Sequence, residues 1–457
     1  MTGLRAGYAA VDITPPVGTD LTGFNARSGP CEGTLDALEA RALVFEDSAG
    51  NSAALITCDL IGLGKHLVAR VRRRVLEATG FPEAAQLYNC SHTHAGPETG
   101  VLSTIGVPDP AYLAWLEGQL AQVVIRAAHA LIPVAFRMGM ADVPDGLAIN
   151  RVYRYQGRPE AYDRQLTVLR VERDNGGPLA TLVAFACHAT ALGHSERHAA
   201  TDYVGPLRRA LEAAGTGPVL YVNGCGGDVN PASMDSRGRD AAEALGNGLA
   251  AVALRVDLAP VEGLASPASG PHLPLPRGEG KRAPQIFASQ ELVTLPYHSI
   301  RGPDEAAAIL AAGRKRLAAT SVGTPEYRLA RVVEVDYALR LLRLHYGSET
   351  LPEVRAEVQA LRIGPMAIVG LPGEIFSSIG RAIKDASPFG APRTIMAGWS
   401  NDNAGYVPDH AAYGVASYEA DTAARWYGHP APWAPEAGDL LTDAALRVLR
   451  SLMSRER

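Results

Sequence analysis

Histidine and carboxylate side chains occur in short polar segments that each follow an apolar run of the sequence. His92 and His94 lie in the first of these segments, and His188 and Glu374 lie in two others. Imidazoles and one carboxylate are typical ligands of a catalytic zinc ion, which keeps one coordination position open for water. The sequence therefore predicts a zinc-dependent hydrolase with His92 and His94 in its active site. The polar segments are residues 91–97, 188–190, 223–231, 371–374 and 399–406, after the apolar runs 86–90, 181–187, 219–222, 366–370 and 394–397.

The His-X-His spacing in residues 91–97 indicates different roles for its two histidines. In an extended chain their side chains point to opposite faces, so one can bind the ion while the other reaches over the substrate. Each of these residues could also have a purely structural role. The His-X-His segment also suits a surface pair, His188 suits a buried core position, and Glu374 suits the first turn of a helix, where acids are favoured. His194 and His198 form a second pair in a polar loop and are weaker candidates for ligands.

The elements that must position these side chains alternate between strands and helices. Several of the apolar runs, together with residues 52–58, are rich in β-branched residues and predict buried strands. Apolar residues three and four positions apart predict helices between them. This alternation predicts an α/β fold with a mixed, largely parallel sheet flanked by helices and catalytic loops at the carboxyl ends of the strands. The predicted helices are residues 67–78, 110–130, 206–214, 239–254 and 303–319.

The whole chain, residues 1–457, is predicted to form a single domain because the candidate site draws on segments from both halves. Residues 260–285 are rich in proline and glycine and have no periodicity, so they predict a long irregular connection within that domain. Residues 326–374 predict a long helix followed by a pair of strands.

Composition excludes several classes of protein. The chain has 457 residues, 47% of them hydrophobic, and a formal net charge of −5 without a basic block, which argues against a nucleic-acid partner. No uninterrupted apolar run of about 18 residues is present, so no membrane span is expected. Five cysteines without a recognisable export signal predict reduced thiols in a cytoplasmic protein. A small-molecule amide or ester is the expected partner, and a homo-oligomer stays open.

Eight short motifs occur in order along most of the chain. They are residues 6–16 (Ala-Gly-Tyr-Ala-Ala-Val-Asp-Ile-Thr-Pro-Pro), 91–97 (Ser-His-Thr-His-Ala-Gly-Pro), 149–151 (Ile-Asn-Arg), 188–190 (His-Ala-Thr), 201–205 (Thr-Asp-Tyr-Val-Gly), 227–231 (Gly-Asp-Val-Asn-Pro), 371–374 (Leu-Pro-Gly-Glu) and 405–408 (Gly-Tyr-Val-Pro). Together they resemble the catalytic domain of the neutral/alkaline, non-lysosomal ceramidase family over roughly residues 7–418. The ordered set is far more specific than any single motif, and the resemblance implies a zinc amidase.

The resemblance also implies roles for particular residues. The positions that match the family's zinc ligands are His92, His188, Glu374 and Tyr406. The ligand role of Tyr406 rests on the resemblance alone, because tyrosine is an uncommon ligand. The candidate catalytic residues are His94, Arg151, Tyr406 and Asp228, and the candidate substrate-binding residues are Asn150 and Asn230.

The reaction implied is hydrolysis of a non-peptide C–N bond in an N-acyl amide by metal-activated water. Zinc lowers the pKa of its bound water to about 7 and polarises the scissile carbonyl. His94, Arg151 and Tyr406 are expected to stabilise the oxyanion and pass a proton to the leaving group. Because ligating imidazoles must be neutral, activity is expected to fall below roughly pH 6.

Two departures from the family shape the expected substrate. Asn230 stands where the family carries a serine, and asparagine cannot act as an alkoxide nucleophile. The chain ends at Arg457, with no export signal and without the family's additional C-terminal domain. We therefore expect a small polar amide rather than a long-chain sphingolipid. Two other functions stay open, an esterase or lactonase on the same scaffold and a non-catalytic metal-binding homologue.

Overall fold

The structure is a computed structural model that describes residues 4–102, 104–261, 286–415 and 417–454. Most of the predicted irregular connection at 260–285 lies outside these residues. The strands are β1 Arg5–Asp12, β2 Gly33–Thr34, β3 Glu39–Glu46, β4 Ser52–Cys58, β5 Gln86–Cys90, β6 Ile132–Asp142, β7 Ala148–Asn150, β8 Gln165–Arg173, β9 Pro178–Phe185, β10 His198–Ala199, β11 Val219–Asn223, β12 Val229–Pro231, β13 Ala259–Pro260, β14 Ile286–Thr294, β15 Arg355–Ile363, β16 Met366–Gly370, β17 Glu374–Ile375, β18 Thr394–Ala397 and β19 Tyr406–Val407.

The helices include the five that the periodicity predicts. They are α1 Lys65–Thr79, α2 Pro110–His129, α3 Val204–Ala213, α4 Arg239–Leu254, α5 Pro303–Ala318, α6 Pro325–Arg328, α7 Tyr337–His345, α8 Ser377–Ala386, α9 His410–Tyr413, α10 Ala423–Trp426 and α11 Ala437–Ser454. A π-helical segment, Leu329–Asp336, joins α6 to α7, so these three form the long helix predicted before the strand pair β15–β16.

Helix α1 illustrates how the sequence sets these elements. Val68, Val71 and Val75 repeat at intervals of three and four residues and are buried on the side that faces the core. Burying each such side chain stabilises the fold by about 1.5–3 kcal/mol. The helix ends at Gly80, whose positive φ of 76° lets its N–H donate to Leu76 O. In the part of the chain that the structure describes, no helix combines the length and apolarity needed to cross a bilayer.

The predicted α/β fold is confirmed, but its main sheet is mostly antiparallel rather than largely parallel. The strand order is β11-β9-β8-β6-β1-β3-β4-β5, and the parallel neighbours in it are β11–β9 and β4–β5. Strand β16 also pairs with β18 in parallel, in a second sheet of order β14-β15-β16-β18. Parallel neighbours require a long crossover, which α1, α3 and α8 supply, whereas the short connections at 47–51 and 174–177 form antiparallel hairpins. Short connections therefore account for part of the antiparallel pairing.

The two sheets share one hydrophobic core. Leu55 and Leu87 of the large sheet belong to the same buried cluster as Leu361, Ile368 and Ile395 of the second sheet, and all five are at most 2% exposed. The sheets pack against each other through this cluster. The carboxyl ends of their parallel strands therefore lie close together, at the same edge of the two sheets.

Candidate metal and active site

The loops at the carboxyl ends of the parallel strands meet in one place. His92 follows β5, and His188 follows β9. Glu374 follows β16 and lies in the short strand β17, which pairs in parallel with β19 so that Glu374 is opposite Tyr406. Each loop therefore brings one of the predicted ligands to the same edge of the fold.

Asn223 at the end of β11 fixes the spacing of these loops. Its Nδ2 donates to Ser91 O at 2.8 Å and to Cys187 O at 3.0 Å, and its Oδ1 accepts from Cys187 N at 3.1 Å. Its backbone N–H donates to Asn89 Oδ1 on β5. One buried amide thus ties together the residues just before His92 and His188, a role that the position of Asn223 in the sequence does not reveal.

Four side chains converge on a common point. His188 Nε2 lies 2.8 Å from Glu374 Oε2 and 3.3 Å from the Tyr406 hydroxyl. His92 Nε2 lies 3.5 Å from the same Glu374 oxygen. His92, His188 and Glu374 are at most 1% exposed. The structure therefore brings together all four residues predicted as ligands.

Backbone carbonyls fix the tautomers of two of these histidines. His92 Nδ1 lies 2.6 Å from Ile61 O, and His188 Nδ1 lies 2.8 Å from Gly226 O. A carbonyl only accepts, so each Nδ1 carries the proton and each Nε2 directs a lone pair at the Glu374 carboxylate, which also only accepts. Metal-ligating histidines are typically held by such a contact at the other ring nitrogen. Acceptor atoms that face one another in a buried site fit a divalent cation.

The charges in this cluster suit metal binding. Burial, with help from Arg151, lowers the pKa of His188 to about 4, so its imidazole is neutral. A neutral imidazole and an ionised carboxylate are the forms that bind a metal.

His94 differs from the other two histidines. Its Nε2 lies 3.1 Å from His92 Nε2, so the three rings form one cluster. Its buried Nδ1, however, has no hydrogen-bond partner among the described residues, and the side chain is half-buried rather than enclosed. Burial and the neighbouring His92 and His188 lower its pKa well below 6.5. His94 thus has no carbonyl that fixes its tautomer, and it borders the open side of the cluster.

Unusual backbone conformations surround the ligands. His92 has φ +61° and Trp399 has φ +43°, both in the left-handed region that residues with a Cβ seldom occupy. The Trp399 ring stacks on the His92 ring with centroids 4.6 Å apart and 21° between the planes. Gly227 has no room for a side chain, because a Cβ there would lie 2.2 Å from Glu374 O. The stack was not predicted, although Trp399 opens a polar segment that the sequence analysis selected.

Arg151 and Asn230 also lie at the cluster. The Arg151 guanidinium lies over the Tyr406 ring, 5.1 Å from its centroid, and its Nε is 2.7 Å from Glu419 Oε1. Its Nη1 lies 3.4 Å from Asn230 Oδ1, and its buried Nη2 has no hydrogen-bond partner among the described residues. Arg151 therefore keeps one buried donor available beside Tyr406.

Asp228 and Asn150 occupy positions that differ from the predicted catalytic and substrate-binding ones. The Asp228 carboxylate accepts from Ser377 N at 2.7 Å, Ser377 Oγ at 2.8 Å and Asn150 Nδ2 at 2.6 Å, and burial raises its pKa to about 7. Asn150 Oδ1 accepts from two backbone N–H groups. Their hydrogen bonds are directed to the protein, and Arg151 N donates to Asp228 O at 2.8 Å. Both residues position the loop that carries Arg151.

Tyr427 and Phe24 also contact the site, and nothing in their sequence spacing predicted this. Tyr427 donates its hydroxyl proton to Glu374 Oε1, and the Phe24 ring lies 4.8 Å from the His94 ring. The second histidine pair lies apart from the cluster. His198 Nδ1 is 2.7 Å from Glu196 Oε1, and His194 contacts the edge of Phe24.

Comparison with known proteins bears on this arrangement. Residues 4–220 match the family model described as neutral/alkaline non-lysosomal ceramidase, N-terminal. The chain is 25% identical to neutral ceramidase A of Dictyostelium discoideum over 265 residues, which cover 52% of this chain and 37% of that protein. It is 26% identical to neutral ceramidase B of the same organism over 228 residues, which cover 44% of this chain and 32% of the relative. The matched part thus spans about a third of each relative.

The same fold occurs in a solved structure. The crystal structure of neutral ceramidase from Pseudomonas aeruginosa superposes on all of this chain and on 75% of its own, with a TM-score of 0.72 and 17% sequence identity. The likeness extends over the C-terminal half, which supplies Glu374 and Tyr406 and which the family model does not reach.

Proposed function

This chain belongs to the neutral/alkaline, non-lysosomal ceramidase family, and we propose that it is a zinc-dependent amidohydrolase that cleaves a non-peptide N-acyl amide. The convergence of acceptor atoms from His92, His188 and Glu374 in a buried site carries this proposal. Two imidazoles and a carboxylate are a donor set of catalytic zinc sites, and the Tyr406 hydroxyl lies beside them, 3.3 Å from His188 Nε2.

Each residue has a distinct part in the proposed reaction. His92, His188, Glu374 and Tyr406 would hold the ion. Zinc, when bound, supplies a more acidic water molecule and a polarised substrate carbonyl. His94 accepts the proton of the attacking water and donates it to the leaving nitrogen, a role that its unpartnered Nδ1 and half-buried position permit. The water oxygen bonds to the carbonyl carbon as the C–N bond breaks, giving a carboxylic acid and an amine.

Arg151 stabilises the negative charge that develops on the carbonyl oxygen. Its buried Nη2 is already desolvated, and Glu419 holds the guanidinium against Tyr406. A donor oriented before the reaction is typically worth about 10²–10³ in kcat. Asn230 occupies the position of the family's serine and contacts Arg151, so it supports this donor and cannot serve as a nucleophile.

Metal analysis of three variants tests the division of roles. We expect His92→Ala to lose both the metal and turnover, and His94→Ala to lose turnover while it keeps the metal. His194→Ala is the matched control, since this exposed histidine lies near His94 but outside the cluster. Loss of metal from His94→Ala would show that all three imidazoles are ligands and would contradict the role of His94.

A panel of short N-acyl amides and their matched esters tests the reaction itself. Release of the acid from amides by the zinc-loaded chain supports an amidohydrolase. Turnover confined to esters or lactones would replace this function with an esterase. If the chain bound one zinc ion but hydrolysed neither amides nor esters, it would be a non-catalytic metal-binding homologue.

A further inference from the structure

A group of arginines without an ion-pair partner among the described residues is linked to His94 through contacts of Arg27 and Phe24. In the described part of the chain, Arg27, Arg237 and Arg328 form no ion pair with an acidic side chain. Arg27 is 2% exposed and donates to the carbonyls of Thr22, His94 and Glu196. Arg328 donates to the carbonyls of Ile105 and Arg27. Backbone carbonyls satisfy the hydrogen bonds of Arg27 and Arg328, while Glu196 acts on Arg27, and Asp202 and Asp235 act on Arg237, only by attraction without a direct ion pair.

Arg237 is the member of this group whose guanidinium is accessible. It lies over the Phe24 ring at 5.4 Å from the centroid, and Phe24 in turn packs on His94. Arg237 is exposed, and its side chain forms no hydrogen bond or ion pair among the described residues. Its stem packs against Gly193, where an added Cβ would lie 2.9 Å from Arg237 Cβ. The side chain is therefore positioned on both sides while its donors stay free.

The acidic groups nearby are engaged elsewhere. Asp235 pairs with Arg154, and the buried Asp202 carboxylate accepts three backbone N–H groups. Burial and the charge of Arg151 lower the pKa of Arg237. Arg27, Arg237 and Arg328 thus give the surroundings of His94 a positive field, which Glu196 partly offsets at Arg27, in a chain whose net charge is −5. Such a field concentrates anions and steers them to the site.

We propose that the substrate is an N-acyl amide that carries a carboxylate on its amine part, as an N-acyl amino acid does, and that Arg237 binds this carboxylate. The inference rests on the proposed amidohydrolase function and names its substrate class. The planar fork of a guanidinium matches a carboxylate with two parallel hydrogen bonds. A phosphate is typically bound by several converging donors, whereas Arg237 is the one arginine of this described group whose donors are free.

Two compounds that release the same acid test this preference. N-benzoylglycine carries the carboxylate, and N-benzoylethanolamine is a neutral analogue of similar size. Benzoate release gives kcat/KM for both. We expect the zinc-loaded chain to prefer N-benzoylglycine by about ten- to a hundred-fold, the usual value of a charge-assisted pair of hydrogen bonds. Added salt should reduce this preference because it screens the exposed arginine.

Variants of Arg237 connect the preference to this side chain. Arg237→Ala should lower the ratio of the two kcat/KM values at least about ten-fold, mainly through the KM of N-benzoylglycine, and Arg237→Lys should retain part of it. Arg158→Ala is the matched control, since it removes an exposed arginine that lies over the Tyr153 ring at 4.7 Å. The ratio should stay high in that control.

Binding without turnover gives an independent measurement. In a His94→Ala background, calorimetric titration with N-benzoylglycine should show about ten-fold weaker binding when Arg237→Ala is added. Equal binding, equal turnover of the two compounds, or an unchanged ratio in Arg237→Ala would overturn the carboxylate assignment while the amidohydrolase stands. A preference for N-benzoyl-O-phosphoethanolamine over N-benzoylglycine would overturn it in favour of a phosphate. Absence of turnover with every amide tested would instead contradict the proposed function, and this inference with it.

Discussion

The floor and the rim of the site are held by different kinds of interaction. The floor consists of His92, His188, Glu374 and Tyr406, and the rim consists of Phe24, Arg27, His94, Glu196 and Arg237. Floor side chains follow parallel strands or lie in short paired strands, and two of them are anchored by backbone carbonyls. Rim side chains are outside the sheets and are held by ring contacts and by Arg27.

This difference separates what the fold specifies from what individual side chains specify. Backbone carbonyls anchor His92 and His188, and the Asn223 side chain fixes the spacing of their loops, so groups built into the sheets and their ends set the ligand geometry. The rim depends on side chains such as Phe24 and Arg237, which can change without altering the sheets. We therefore expect floor substitutions to abolish metal binding and rim substitutions to change specificity or rate.

Removal of a floor histidine should have the largest effect. His188→Ala should reduce metal content from about one ion per chain to near zero and reduce turnover on the order of a thousand-fold or more, since the ion contributes several kcal/mol to catalysis. Metal analysis and turnover measure the two losses. A chelator should lower the melting temperature of the parent chain but not of the variant. A variant that retained stoichiometric metal would contradict the role of His188 in the floor.

Arg27 should have the next largest effect, because it holds the backbone of the rim. Arg27→Met leaves three buried carbonyls without their donor and should destabilise the fold by about 3 kcal/mol. Turnover should fall about ten-fold with metal content unchanged, since His94 loses the contact to its carbonyl.

Arg72→Met is the matched control for this prediction. Arg72 is also buried, and it donates to Gln86 O and to both oxygens of Glu357, away from the rim. Denaturant unfolding should show comparable destabilisation in both variants, but the loss of kcat should be confined to Arg27→Met. Equal loss of kcat in both would mean that Arg27 acts through stability alone.

Trp399 tests whether packing beneath the floor tunes the metal. Trp399→Phe should cost about 2 kcal/mol of stability, because a large buried ring is replaced by a smaller one. It should also weaken metal binding about ten-fold, because the stacked ring orients His92. Trp433→Phe is the control, since Trp433 stacks on Tyr297 at 4.6 Å with a similar angle of 24°. Competition with a metal chelator should separate the two, and equal affinities would contradict the orienting role.

The floor was largely predictable from the sequence, for a physical reason. A ligand that directly follows an apolar strand carries its position in the order of the residues, as His188 and Glu374 do. Tyr406 needed the family resemblance, because nothing in its local pattern distinguishes it from an ordinary tyrosine. A catalytic role for Asp228 stays a prediction, since sequence order places it near the site but does not show that Ser377 and Asn150 occupy its carboxylate.

The rim and the strand directions were not predictable in the same way. Phe24 and Arg237 are more than two hundred residues apart, and their contact arises only after the sheets have packed. Strand direction depends on connection length, so the predicted share of parallel strands was too high where short connections form hairpins. Parallel pairing is nevertheless found at the strands that lead to His92, His188 and Glu374.

Glu196 should give the smallest effect and the sharpest test of the separation between rim and floor. Burial acts to raise its pKa, but hydrogen bonds from Arg239 and His198 outweigh this and lower the pKa from 4.5 to about 2. Because the folded-state pKa is depressed, this carboxylate stabilises the fold above about pH 4.5, and the stabilisation is lost as the pH falls through 2. Thermal unfolding should show Glu196→Gln less stable by about 1 kcal/mol or less at neutral pH, with the difference vanishing towards pH 2. The zinc content of this variant at neutral pH should equal that of the parent chain, and a lower content would mean that the rim and the floor are not independent.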